Sequence, residues 1–267
     1  MSLVRVSLFF LVIVVIPAWS KQPLPPQQTQ TATQSSATKD PQAVSIATQA
    51  VNVAGGSPAI MAIDDFTASG SVTYSSGLDS GVPHDVTIRG RGLGQLRIDT
   101  NFPSGKRSES TNGQTIVKSE DGSTVNLKSQ APLYPVRLAL PALQLRAALI
   151  SSGFSLQYVG MVQLDGNSAY EIQAQRILQG WADPNTQVNR YLSFNYFIDV
   201  STSRILMMQD SMGKGLVRQI RYSDFRVVNS LLIPFSISET IDGQPIRVIH
   251  LSQVGFNSGL QDSDFQL

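Results

Sequence analysis

A chain of 267 residues with no cysteine, a net charge of +1 and only 15% charged residues excludes several chemistries before any motif is read. Disulfides, thiolate metal sites and cysteine nucleophiles are impossible without the thiol, and so balanced a charge supplies no global field to draw nucleic acid or an anionic surface. The length suits one large β domain that must rely on its core.

The N-terminal stretch MSLVRVSLFFLVIVVIPAWS, residues 1–20, places Arg5 ahead of the apolar run Leu8–Ile16, then Pro17 and the small-x-small end Ala18-Trp19-Ser20. This is the order of a secretory signal peptide, with cleavage expected near Ser20–Lys21. The run falls well short of the roughly 20 residues that span a bilayer, so a cleaved, periplasmic or secreted protein is expected over a retained anchor. No cysteine follows the run, which excludes lipid attachment there. Residues 21–42, rich in Pro, Gln, Thr and Ser, cannot bury enough surface to offset ordering entropy and read as a disordered linker. A single domain is expected over 43–267. Its first element is a short helix carrying Val44, Ala47 and Val51 at helical spacing, stopped by Gly55-Gly56.

From Ile63 onward the apolar period becomes two. Asn112-Gly113, Asp121-Gly122, Asp165-Gly166 and Asp242-Gly243 each suit a two-residue hairpin loop, where both central residues take positive φ. Folding about Asp165-Gly166 sets Met161 against Tyr170 and Val159 against Ile172, and folding about Asp242-Gly243 sets Ile237 against Val248. Apolar residues thus meet across each ladder, as an antiparallel meander requires. One helical segment interrupts it within residues 134–154. There Leu138, Leu145 and Leu149 share a stripe, Leu140 and Leu143 lie close by, Pro141 marks a start and Gly153 a C-cap. The chain therefore reads as a helix, about five strands, a helical segment and six or seven further strands.

Catalytic constellations are sparse. His84 and His250 stand far apart with no ligand-spaced partner, whereas zinc needs three or four converging ligands. Ser36-Ala37-Thr38-Lys39 has a Ser-x-x-Lys spacing but sits in the linker, and nucleophilic chemistry needs a rigid site. The acidic pairs Asp64-Asp65 and Asp262/Asp264 read as solvated residues near strand ends. No catalytic residue, metal site or cofactor is expected.

The stretch DVTIRGRGLGQLRID, residues 85–99, looks at first like a phosphate loop. Its spacing is G-x-G-x-G rather than G-x-G-x-x-G, and an alternating segment follows instead of a helix. With Gly92-Leu93-Gly94 as a three-residue loop, Arg91 faces Gln95, Gly90 faces Leu96 and Ile88 faces Ile98. One face then carries Val86, Ile88, Leu96, Ile98 and Phe102. The other carries Arg89, Arg97 and Asp99, with Asp85 or Asp99 placed to relieve the opposed arginines.

This order of elements resembles the LolA/LolB-like lipoprotein-carrier superfamily. The resemblance is carried by a helix, a glycine-turn hairpin ending in LRID, then P-x-G and NGQTIV, then a Leu-rich helical stretch. It continues through YVGMVQLDGNSAYEIQAQ, YFIDVSTSRILMMQ and YSDFRVVNSLLIPFSISETIDGQPI. It spans about residues 43–267 and rests on the order of the motifs. It implies a mainly β (α+β) fold: a curved, half-open antiparallel β-barrel closed by a few helices over an apolar cavity that takes acyl chains. Arg97 matches a strand arginine that helps hold the lid in Gram-negative carriers. Its neighbour Ile98 departs from the family's frequent aromatic, and Leu93-Gly94 departs from its usual Pro-Gly turn.

Candidate cavity-lining residues are Leu96, Ile98, Phe102, Val117, Val125, Leu127, Leu138, Leu145 and Leu149, with Arg97 as lid lock. The expected function is a non-enzymatic carrier of a lipid or acylated ligand, lipoprotein acyl chains included. Contact with membranes is expected to be peripheral or transient, with no nucleic-acid partner. The alternative is an envelope sensor or interaction domain with a filled core, tethered by its N-terminal segment and partnered by envelope proteins.

Overall fold

The structure is a computed structural model, and it describes residues 37–267 apart from residues 78, 113–114, 127–137, 178–192 and 214. The signal-peptide reading, most of the linker reading, Leu127 and Gly113 lie outside the described residues.

Helix α1 (Pro41–Val53) begins where Asp40 accepts hydrogen bonds from the backbone N–H of Gln42 and Ala43, with proline supplying a first-turn φ. It therefore starts within the stretch read as linker. Residues 38–40 lie along a strand edge, where Asp40 donates its N–H to the Leu156 carbonyl and Leu156 donates to that of Thr38. Gly55 and Gly56, both at positive φ, turn the chain into α2 (Ser57–Met61).

Six strands follow: β1 (Asp65–Tyr74), β2 (Pro83–Arg91), β3 (Gln95–Phe102), β4 (Gly105–Asn112), β5 (Thr115–Lys118) and β6 (Thr124–Asn126). After α3 (Pro141–Ile150) come β7 (Phe154–Leu164), β8 (Asn167–Arg176), β9 (Ser193–Asp199), β10 (Ile205–Gly213), β11 (Leu216–Val228), β12 (Leu231–Ile241) and β13 (Gln244–Phe256). All 13 strands form one antiparallel sheet in the order β6-β5-β4-β3-β2-β1-β13-β12-β11-β10-β9-β8-β7. The chain enters at the centre, meanders to one edge, crosses through α3 to the other edge and meanders back. β1 pairs with β13, Phe66 opposite Phe256, and the order never closes on itself. This is the curved half-open barrel expected from the sequence.

The turns are largely as read. Asp165 and Gly166 take φ of 51° and 84°, Asp242 and Gly243 49° and 74°, the signs a type I′ turn requires. Asp121-Gly122 instead falls within a longer connection, residues 119–123, in which Ser119 and Ser123 bond to each other. Register departs from the sequence reading in two places. Met161 faces Tyr170 as expected, but Ile172 faces Tyr158, because Val159 is the extra residue of a bulge. Ile237 faces Ile249 rather than Val248, because Ile246 has no partner on β12. A bulge inserts one residue on one strand, and period-two counting from the turn cannot see it.

The β2–β3 hairpin has the expected register, with Arg91 opposite Gln95, Gly90 opposite Leu96 and Arg89 opposite Arg97. The need for Gly90 comes from a different strand. A Cβ there would lie 2.1 Å from Cε1 of Phe66, the residue beside it on β1. The missing side chain is the space in which the Phe66 ring lies.

Helix α3 starts at Pro141 as read, but Leu138 precedes it and Ser151, not Gly153, is the C-cap. Ala43, Ala47 and Ala50 of α1 and Leu145 and Ala148 of α3 are buried in one continuous core with Ile88, Ile98, Ile172, Tyr196, Ile237 and Ile249 of the sheet. Small residues on α1 let the helices approach closely.

Asp65 is not solvated. It is only 3% exposed, and its carboxylate accepts the backbone N–H groups of Ser258, Gly259 and Leu260 at 2.6–2.9 Å. It thereby ties the segment after β13 to the start of β1.

Substituting Gly90 with alanine forces the Phe66 ring to shift. Denaturant unfolding of G90A is expected to show a loss of about 1–3 kcal/mol, the usual cost of overpacking a core.

Candidate functional site

The inner face of the half-barrel divides into two ends. Toward one end lie α1, α2 and α3; toward the other the face is charged. At the helical end a pocket opens between the C-terminal turn of α1, α2, the start of α3 and strands β10–β12. About 30 Å³ of it is open to the centre of a water-sized sphere, and its walls include Val53, Ala54, Ile60, Leu143, Phe225 and Leu231, with Arg204 at its rim.

None of the sequence-predicted lining residues that are described borders this pocket. Leu96, Ile98, Leu138 and Leu145 have almost no accessible surface and belong to the packed core. Leu149 packs half-buried against the same core, and Phe102 and Val117 are also half-buried. Val125 is 52% exposed, a correction: it sits on the three-residue edge strand β6, all of whose residues are exposed.

The charged end was not foreseen. Asp210, Arg218, Glu239 and Arg247 continue the inward-facing alternations of Met208, Ile220, Ile237 and Ile249 on β10 to β13. Arg218 binds both Asp210 oxygens, at 2.9 and 2.8 Å, and lies 3.7 Å from Glu239. Arg247 donates to Glu239 at 2.7 Å and reaches Glu109 of β4 at 3.4 Å. Burial acts to lower the Arg247 pKa, but the Glu239 and Glu109 charges outweigh it and hold the group firmly protonated. Four strand spacings separate β13 from β4 in the sheet order, about 19 Å if the sheet were flat. The ion pair therefore crosses the interior of a tightly curled sheet. Arg107 stacks over Tyr74 at 5.7 Å, and His84 packs on Phe102 at 4.5 Å, in the same region. The sequence signal was one charge closing each apolar alternation.

Arg97 does not hold the helices. It projects from the face opposite the core, where its guanidinium donates to Asp99 at 3.0 Å and to the carbonyls of Asp264 and Gln266 at 3.1 and 2.8 Å. Odd-numbered residues of β3 point away from Leu96 and Ile98, so the alternation places Arg97 out of reach of a lid. Its partner is the C-terminal segment, a short 3₁₀ turn over Asp262–Phe265. Phe265 is buried, and its carbonyl accepts from Ser110 at 2.6 Å. Asp262 pairs with Arg91 and Asp264 caps the turn through the Gln261 N–H, so neither is merely solvated. Asp99 resolves the Arg89–Arg97 opposition by accepting from both, and from Ser108 at 2.6 Å. Burial would raise its pKa, but hydrogen bonds from Ser108 and Arg97, with the Arg97 charge, hold the carboxyl below its usual range.

Among the described residues no three His, Cys, Asp or Glu side chains gather to hold a metal, and no helix is long and apolar enough to cross a membrane.

No family model matches the sequence, and no curated protein matches it. Solved structures do match in fold. A LolA superfamily protein from Nitrosomonas europaea is 14% identical with a TM-score of 0.52, the match covering 84% of this chain and 97% of that one. A proposed outer membrane lipoprotein-sorting protein domain from Vibrio parahaemolyticus is 12% identical with a TM-score of 0.50, covering 82% and 97%. A DUF1329 family protein from Desulfovibrio piger is 11% identical with a TM-score of 0.53, covering 84% and 97%. The chain has a LolA/LolB-like fold.

Two outcomes follow from the outer-face cluster. Because the folded-state pKa of Asp99 is depressed, its stabilising contribution is complete above the unfolded value of about 3.9 and lost as pH falls through the folded one. Asp99→Asn is expected to cost about 1.5–3 kcal/mol at neutral pH, a gap that narrows below about pH 4 in parallel unfolding curves. Arg97→Ala is expected to speed amide hydrogen exchange over residues 261–266 while leaving α1 and α3 unchanged. Faster exchange in the helices instead would restore the lid-lock assignment.

Proposed function

We propose that this chain is an exported, non-enzymatic carrier or binding protein. It holds a lipid or acylated ligand between the apolar inner face of the half-barrel and its helical cover. The observation that carries this reading is the cover itself: an unclosed sheet whose inner face is overlaid by three short helices, with an apolar pocket where they meet β10–β12. The LolA/LolB-like fold and the signal-like N-terminus support it. The interior is largely filled, so a whole acyl chain enters only as the helices move apart.

Local features make the cover the more weakly held layer. Neither α2 nor α3 has a side-chain N-cap, which typically forgoes about 1 kcal/mol each. Gln144 of α3 is fully buried with neither amide atom hydrogen-bonded, an uncompensated cost at this interface. Each acyl methylene taken from water returns about 0.8 kcal/mol, so a long chain offsets the displacement with few polar contacts.

One observation favours a second reading, an envelope interaction domain with a filled interior: the inner-face residues and the helices form one continuous packed core. The two readings separate by experiment. Native purification followed by mass spectrometry of extracted material is expected to recover lipid, and a fluorescent fatty acid is expected to bind and be displaced. Ala54→Phe, which fills the pocket from its wall, is expected to weaken that binding by about tenfold or more, equivalent to 1.4 kcal/mol. The absence of both co-purifying lipid and probe binding would overturn the carrier reading in favour of the interaction domain.

A further inference from the structure

We propose that the pocket beside α2 is selective for a single-chain amphiphile with an anionic head, and that Arg204 is the residue that recognises the head. This rests on the carrier reading and adds to it a ligand class and a site. Arg204 begins at the rim of a pocket whose walls are otherwise apolar or backbone. Its side chain is exposed, and its guanidinium stacks over Phe225 of the pocket wall at 5.6 Å.

Arg89, Arg91, Arg97, Arg218, Arg221, Arg226 and Arg247 are each paired with a carboxylate. Like Arg107, which stacks on Tyr74, and Arg146, which donates to Ser57, Arg204 has no carboxylate partner among the described residues, and of the three it is the one that lines the pocket. The two acids near it in the chain or the pocket wall are engaged elsewhere. Asp199 accepts from the backbone and hydroxyls of Ser201 and Thr202 at 2.6–3.0 Å, and Asp224 is held by Arg226.

A guanidinium stacked on a ring keeps its edge donors free, in the fork geometry that matches carboxylate or phosphate. The Phe225 ring holds the group beside the apolar opening instead of letting it range through solvent. An apolar tail entering between Val53, Ile60 and Leu231 thus leaves its head against an unpaired cation. The open space of about 30 Å³ is of the size of the end of one acyl chain, and a single-chain ligand is the class proposed. Carboxylate and phosphate heads share this chemistry.

The test compares palmitate, palmitoyl lysophosphatidylglycerol and palmityl alcohol as displacers of a neutral fluorescent hydrocarbon probe. It uses the mature protein and its Arg204→Gln and Arg204→Lys variants, with melting temperatures confirming folding. Both anionic ligands, or one of them, are expected to bind about tenfold tighter than the alcohol, about 1.4 kcal/mol. That preference is expected to vanish in R204Q, to return partly in R204K and to weaken with added salt, while affinity for the alcohol stays constant. Whichever anion binds more tightly identifies a carboxylate or a phosphate as the head. Equal affinity for acid and alcohol, or an equal loss of all three ligands in R204Q, would overturn the assignment of Arg204 while leaving the carrier reading intact. Failure of every ligand and the probe to bind would overturn both.

Discussion

The antiparallel ladder between β1 and β13 joins residues nearly the whole domain apart, such as Phe66 and Phe256, and just beyond it the Asp64 N–H bonds the Asn257 side chain across 193 positions. Everything else in the architecture follows from this contact. Two local meanders, each stabilised by neighbours in sequence, become halves of one sheet only because the first and last strands meet. The junction is reinforced where ladders tend to fray: Asp65 receives three backbone amides from the segment leaving β13. With the centre of the sheet so defined, β6 and β7 become its two edges. The crossover between them carries α3 back over the inner face, to pack with α1.

Curvature then assigns different work to the two ends of the interior. At the charged end, Arg247 and Glu109 meet across a curled sheet, and Asp210, Arg218, Glu239 and Arg247 each have an opposite charge as neighbour. Breaking such a buried pair leaves an uncompensated charge and typically costs 3–5 kcal/mol, so this end behaves as a brace. At the helical end the contacts are mainly apolar, with a few hydrogen bonds such as Arg146 to Ser57 and Leu232 to the Ala54 carbonyl, the helices are short and two of the three lack side-chain caps. A cover held mainly by apolar area can exchange protein surface for ligand surface at little net cost. Rigidity at one end and replaceable contacts at the other are the physical basis of the proposed carrier.

The outer face contributes stability by a separate device. Arg97 and Asp99 hold the C-terminal turn against β3 and β4, with Phe265 as its apolar anchor. The position that resembles a lid-holding arginine in related folds is thus used here to fasten the chain's own end. Similar placement in a strand does not transfer a role when the strand's alternation points the side chain to the other face.

Much of this was legible in the sequence wherever the deciding forces are local. Asp165-Gly166 and Asp242-Gly243 specify their turns because few residue types accept positive φ, and the 85–99 hairpin is set by a loop and an alternation within fifteen positions. The N-terminal helix, Pro141 as a helix start and the antiparallel class follow in the same way. The bulges at Val159 and Ile246 could not be counted from a turn, since neither changes the apolar pattern that register reading relies on. The reason for Gly90 lay on another strand, and the partners of Arg97 lay 167 and 169 positions away. Whether Leu96, Ile98, Leu138 and Leu145 pack a core or line a void depends on what stands opposite them, and an apolar alternation is the same in both cases. Local backbone preference and periodicity determined the elements and their hairpins; only the tertiary structure decided which faces meet, where the sheet curls and which arginine stands at the pocket, because those depend on the closing of long loops.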